Sequence, residues 1–174
     1  MAPIPRNTDF HIRQASPQDV DTILLLIIEL ADYEKAKDQV QATPELLHRN
    51  IFEKQYAHAL LAFSGSESAP GQAIGLALYF FNFSTWTGKP GLYLEDLYVS
   101  QASRSAGVGK ALFAELGKVA LEKDCARVDW AVLKWNQPSI DFYEKRLQAI
   151  PMSEWVGMRL EGEGINRLLK LVDA

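Results

Sequence analysis

Two hydrophobic periods alternate along the chain, and the switches between them mark its elements. Phe10 to Gln14 alternates apolar and polar at period two and predicts a first strand. Ser16-Pro17-Gln18-Asp19 starts a helix, with Ser16 as cap, Pro17 at the first helical position and an acid in the first turn. That helix runs to about Tyr33, and Thr43-Pro44-Glu45 repeats the signal for a second one through about Glu53. A charged connection, Glu34 to Gln41, separates them. Ala59 to Ser64 and Ala73 to Phe83 read as strands around a Ser/Gly/Pro-rich loop, Gly65 to Gly71. Trp86 to Gly91 reads as another turn, and Leu92 to Val99 as a central strand. The period then changes: Val108, Leu112, Leu116, Val119 and Ala120 share one face of a helix. Arg127 to Leu133 predicts a strand, Gln137 to about Leu147 a helix, Glu154 to Leu160 a last strand, and Ile165 to Leu171 has helical spacing. Met1 to Thr8 is expected to be a loose leader.

This order is neither pure strand–helix alternation nor all strands. It predicts an α+β fold with a mixed, largely antiparallel sheet and helices on both faces. Short turns join antiparallel neighbours, whereas the long helical crossover before Arg127 to Leu133 requires a parallel pair with the central strand.

The junction of the central strand and its helix reads Arg104-Ser105-Ala106-Gly107-Val108-Gly109. A helix start offers unpaired backbone N–H groups and the positive end of the macrodipole, and glycine admits a ligand close to that backbone. The physics points to a phosphate or pyrophosphate site, with a plain tight turn as the alternative. No Gly-Lys-Ser/Thr follows, so this is not a Walker loop, and a single Gly-x-Gly pair is not a dinucleotide fingerprint.

At 174 residues the chain is expected to form a single domain with a real core. A net charge of −4 argues against a general nucleic-acid binder and is compatible with a cationic small substrate. The single cysteine, Cys125, excludes an intramolecular disulfide, and His11, His48 and His58 show no ligand spacing, so no metal is expected. The longest aliphatic run, Ile23 to Ile28, is far short of a membrane span, so the expected location is the cytoplasm.

A second informative stretch is Trp135-Asn136-Gln137-Pro138-Ser139-Ile140-Asp141-Phe142-Tyr143. Pro138 falls in a first helical turn, Asn136 stands where it can cap that helix, and Tyr143 projects inward, as a core aromatic if nothing more. Arg104-x-x-Gly107-x-Gly109, preceded by Tyr93-Leu94-Glu95-Asp96 and followed by Trp135-Asn136-x-Pro138-Ser139-x-x-Phe142-Tyr143, resembles the diamine acetyltransferases. These are the spermidine/spermine branch of the GNAT superfamily of N-acetyltransferases. Phe83-Ser84-Thr85-Trp86-x-Gly88 and Ala131-Val132-Leu133-x-Trp135-Asn136 are most similar to the sister enzymes that acetylate thialysine. The resemblance runs from about Phe10 to Leu171 and is densest from Ala73 to Tyr143.

The resemblance implies a GNAT-like sheet with a splayed central parallel pair, acetyl-CoA as acetyl donor, no metal, and a homodimer. It implies that the Ser105, Ala106, Gly107, Val108, Gly109 and Lys110 backbone, with Arg104, cradles the pyrophosphate, and that Leu97, Tyr98 and Val99 pair with the pantetheine arm. Asn136, Gln137, Pro138 and Ser139, with Arg146, would line the other side of the cofactor. Tyr143 would protonate the departing thiolate, and Glu95 would contact the amine and accept its proton. Tyr33, Glu34, Trp86, Asp129, Trp130 and Ala131 would shape the amine pocket. Asp96 belongs to that pocket only if a bulge turns the chain, because strand neighbours otherwise face opposite sides. Its other role is a solvent-facing or salt-bridged carboxylate.

The chemistry agrees with this set of residues. An alkylamine of pKa near 10.4 is protonated at neutral pH, and freeing its lone pair costs roughly 4–5 kcal/mol. An acid such as Glu95 attracts the ammonium and then helps remove its proton. Juxtaposing amine and thioester supplies much of the rate without a covalent intermediate. The chain departs from the polyamine enzymes at Ser84, where they carry aspartate, which favours a shorter amine or an amino-acid side chain. Ser105 replaces a frequent glycine, Leu147-Gln148-Ala149 replaces a glycine-containing helix end, and Val156 an acidic residue. The resulting expectation is direct N-acetylation of a small diamine, polyamine or lysine-like amino acid. The alternatives are acetylation of a protein or peptide amine, or a non-catalytic CoA-binding regulatory domain.

Overall fold

A computed structural model describes residues 9–172, so the expected leader, Met1 to Thr8, lies outside the described residues. The chain divides into two compact units, the first ending at Ala131 and the second beginning at Val132.

The first unit is a five-stranded sheet in the order β1-β2-β3-β4-β5: β1 Phe10–Gln14, β2 His58–Ser66, β3 Ala69–Ser84, β4 Lys89–Val99 and β5 Val128–Trp130. The first three pairings are antiparallel, and β4 with β5 is parallel, as the helical crossover requires. Strand alternation makes two cores. Leu60, Ala62, Ala77, Tyr79, Leu92 and Leu94 face α3 (Val108–Glu122), which inserts Val108, Leu112 and Leu116. On the opposite face Ala59, Leu61, Leu76, Leu78 and Tyr98 meet Ile23 and Leu26 of α1 (Val20–Tyr33), with Ile51 beside them. Ile23, Leu61, Leu76, Leu92, Leu112 and Leu116 are fully buried, each contributing roughly 1.5–3 kcal/mol of burial.

The Ser16-Pro17 signal opens α1 as expected, through a 3-10 turn, Pro17–Asp19. Asp19 Oδ2 accepts from the Ser16 N–H and hydroxyl, both at 2.7 Å, and Arg13 clamps both carboxylate oxygens at 2.7 and 2.8 Å. The second helix begins at the Thr43 cap as α2, Pro44–Leu47, but widens into a π-helical stretch, His48–Glu53. The hairpin loops are tighter than their composition predicts, because Ala69 to Gly71 already belongs to β3 and Lys89 to Gly91 to β4.

The predicted strand Arg127 to Leu133 shortens to Val128–Trp130. Its parallel pairing ends at Leu94 with Trp130, where β4 changes register, and a strand lasts only while a neighbour takes its backbone groups.

The second unit contains α4 (Gln137–Arg146) and α5 (Glu163–Leu168). Glu154 to Leu160, expected as a strand, is irregular, with Trp155, Val156 and Met158 exposed. No neighbouring strand pairs with it among the described residues.

Candidate active site

Two features of the first unit converge on the end of β4. The first is a bulge. Leu78 opposes Asp96, yet the next residue, Tyr79, opposes Leu94, so Glu95 is surplus in the ladder. Leu94 belongs to the α3 core, which puts Glu95 on the α1 face. Asp96 opposes Leu78 of the α1 core and lies on that face too. The bulge thus turns Asp96 to the face that Glu95 occupies. Burial, then the charges of Glu95 and of Glu34 just past the end of α1, push the Asp96 carboxyl up to about 6. Burial also raises Glu34. Three acids thus share one corner, of which Glu95 is the exposed one.

The second feature is the turn into α3. Gly107 holds the cap position at φ 92°, and no side chain caps the helix. A Cβ on Gly107 would meet nothing within 4 Å, and one on Gly109 only Val99 Cγ2 at 3.8 Å. The space beside the two glycines is therefore open, which leaves room for a pyrophosphate at the helix start. Ser105 also takes a left-handed φ of 69°, explaining why glycine is frequent there. Val108 is buried in the core, and Ala106 packs against it, while Lys110 is exposed. Arg104 donates from Nε to the Val99 carbonyl at 3.2 Å, and its guanidinium lies 4.5 Å from the centroid of the Tyr33 ring. It ties the turn to the ends of β4 and α1, so its geometry is that of a brace. Leu97 and Val99 pack on the α3 side, and Tyr98 on the α1 side.

The other expected pocket residues of this unit part company. Asp129 opposes Tyr93 and shares its face, whereas Trp130 opposes Leu94 and packs edge-on against Phe113 of α3, centroids 5.3 Å apart. Ala131 and Trp86 are exposed, Trp86 by 90% at the β3–β4 turn. Ser84 is buried, with its hydroxyl accepting from the Thr87 N–H at 3.4 Å, a turn role. Phe80 and Tyr93 stack at 5.0 Å, beside Asn82, Arg127 and Asp129. Asn82 and Arg127 carry no motif; only the strand register reveals them.

In the second unit, Asn136 is buried at the cap of α4, and its carbonyl accepts from the Ser139 and Ile140 N–H groups. Pro138 sits in the first turn. Gln137 donates to Asp141, which also binds Lys145, on an exposed face of the helix. Tyr143 is half-buried against Phe142, and Arg146 ends the helix, exposed. No group of three or more His, Cys, Asp or Glu suited to a metal occurs among the described residues, and no helix there is long and apolar enough to cross a membrane.

The family model described as Acetyltransferase (GNAT) family matches residues 25–147. The chain is 40% identical over 166 residues to a thialysine N-epsilon-acetyltransferase from Bos taurus, covering 90% of this chain and 95% of that one. It is 35% identical over 154 residues to a Homo sapiens spermidine/spermine N(1)-acetyltransferase-like protein 1, covering 87% of this chain and 22% of the longer relative. A solved integron cassette protein from V. cholerae superposes with a TM-score of 0.74 at 26% identity, over 93% of this chain and 98% of that one. With the uncapped glycine turn, the bulged β4 and the brief parallel pair, these matches show that the chain belongs to the GNAT acetyltransferase family.

Proposed function

We propose that this acetyltransferase moves the acetyl group of acetyl-CoA to the primary amine of a lysine-like amino acid or small diamine, by direct transfer in a ternary complex. The observation that carries the reading is the bulge, which gathers Glu95 and Asp96 on one face near Glu34. A concentrated negative corner suits an ammonium, and a carboxyl held near 6 is poised to take its proton near neutral pH. The relatives named for thialysine and spermidine/spermine acetylation support the substrate class.

Acetyl-CoA supplies the activated thioester. The α3 turn, Ser105 to Lys110, holds its pyrophosphate through backbone N–H groups, and Leu97 to Val99 offers the strand edge for the pantetheine arm. Glu95 or Asp96 takes one proton from the ammonium, the freed nitrogen bonds to the acetyl carbon, and the carbon–sulfur bond breaks as the nitrogen sheds its second proton, which replaces the one Tyr143 gives to the sulfur. Tyr143 returns a proton to the sulfur, a role assigned by resemblance. By the same resemblance, Asn136 to Ser139 and Arg146 would also bind the cofactor. The protein works without a metal, as a homodimer in the cytoplasm. Exposed Ile150, Trp155, Val156 and Met158 support a second copy as partner, and a single half-buried Cys125 suits a reducing compartment.

A thiol-release assay with acetyl-CoA tests the reading, using thialysine, lysine, ornithine, putrescine, spermidine and one lysine-containing peptide. Release with the small amines supports it. Release with the peptide alone points to a protein acceptor, and acetyl-CoA binding without any release points to a regulatory domain. Light scattering at micromolar concentration tests the dimer, which a monomeric mass overturns.

A further inference from the structure

The sheet face beyond α1 carries a second polar group at a measurable distance from the acidic corner. Asp129 on β5 takes the Arg127 Nε at 2.8 Å and the Asn82 Nδ2 at 3.3 Å, both on its Oδ2. Its Oδ1 and the terminal guanidinium nitrogens stay outside these two contacts. Neither side chain is deeply buried, since Arg127 is 45% exposed and Asp129 36%. Gly91 makes the arrangement possible: a Cβ there would collide with Asn82 Oδ1 and press on Arg127 Cγ at 3.1 Å. The buried Asn82 Oδ1 has no hydrogen-bond partner, so the cluster is packed at the cost of an unsatisfied polar atom.

We propose that Arg127 and Asp129, steadied by Asn82, form a subsite for the zwitterionic head of an α-amino acid whose side-chain amine lies at Glu95 and Asp96. This rests on the acetyl-transfer reading above and names its substrate class as amino acids in preference to diamines. Asp129 opposes Tyr93, and Glu95 lies two residues further along β4 on the same face. Two residues at ~3.4 Å and one strand spacing of ~4.8 Å put the Cα atoms roughly 8 Å apart. An extended side chain of five bonds of ~1.5 Å, from α-carbon to ε-nitrogen, spans roughly 6 Å, which suits side chains reaching from both ends. The stacked Phe80 and Tyr93 rings lie in the same cross-strand row as Asp129 and offer an apolar surface beside it for the methylenes.

Charge decides between an amino acid and a diamine. The pair is neutral overall, so it offers little net attraction to a second ammonium, and Arg127 repels one. A zwitterion matches both partners: its ammonium meets Asp129 Oδ1, and its carboxylate meets the planar guanidinium.

The test is steady-state acetylation of four matched amines: lysine, lysinamide, Nα-acetyl-lysine and 1,5-diaminopentane, by native enzyme, Arg127→Met and Asp129→Asn. The methionine keeps the stem that lies over Gly91. With native enzyme, KM for lysine is expected to be lowest, with about tenfold losses for each analogue lacking one charge. Arg127→Met raises KM for lysine about tenfold with little change in kcat, while 1,5-diaminopentane is unaffected or improved. Asp129→Asn, nearly isosteric, weakens lysine but not Nα-acetyl-lysine. Loss on all four amines together, or on none, overturns the subsite while leaving acetyl transfer intact. Absence of turnover with every amine overturns the transfer reading and the subsite with it.

Discussion

Glu95 and Asp96, adjacent in sequence, point to the same face of β4, because the ladder skips Glu95 between the Leu78–Asp96 and Tyr79–Leu94 pairs. A regular strand would have sent one of them into the α3 core. The skip converts two consecutive acids into one negatively charged corner, with Glu34 closing it from the end of α1.

The acidic corner has a pH signature. Asp96 titrates at about 6 when folded and near 3.9 when unfolded, so the folded state binds the extra proton between these values. Stability therefore falls as pH rises from about 4 to 6, and the deficit is complete above 6. Asp96→Asn removes it: the variant should be more stable than the native protein at pH 7.5 by on the order of 1–3 kcal/mol, and nearly equal at pH 4, as urea melts will show. Amine KM should rise below about pH 6 in the native enzyme and lose that rise in the variant, with KM at neutral pH about tenfold higher.

Asp19 behaves in the opposite sense. The Arg13 clamp, aided by Ser16, lowers its pKa to about 2. Its contribution is present above about pH 4 and is lost as pH falls from 4 to 2. Asp19→Ala should cost about 2 kcal/mol at pH 7, measured by denaturant, with the difference shrinking in acid.

Ser105 and Gly107 both occupy left-handed backbone, but only one is glycine. Ser105→Gly should gain about 1 kcal/mol of stability with acetyl-CoA binding retained. Gly109→Glu places bulk and negative charge in the open space beside the first turn of α3, and calorimetry should show acetyl-CoA affinity lost by at least about a hundredfold. Near-normal affinity would remove this turn from the cofactor site.

Tyr143→Phe should leave acetyl-CoA binding in place and lower transfer by about tenfold or more, the scale of a lost general acid. Unchanged turnover would remove Tyr143 from the proton path.

Periodicity made much of the fold legible. The strand at Phe10 to Gln14, the helix from Ser16-Pro17 to Tyr33 and the α3 stripe appear where the apolar pattern predicts them. Gly107 was readable because the left-handed cap of α3 favours glycine. What stayed hidden depends on partners far apart in sequence. The bulge at Glu95 is a property of β3 opposite it. Arg127 and Asn82 acquire meaning only when β3 and β5 flank β4, and Trp130 turns to Phe113 because Leu94 sets its face. Trp155, Val156 and Met158 have strand-like residue types without a pairing strand.

The most direct measurement is the position of the acetyl group on free lysine after incubation with acetyl-CoA and native enzyme, read by tandem mass spectrometry. The expected result is acetylation on the ε-nitrogen, because the side-chain amine is proposed to sit at Glu95 and Asp96 while Arg127 and Asp129 hold the α end. Acetylation on the α-nitrogen, or none with lysine while acetyl-CoA binds normally, would contradict it.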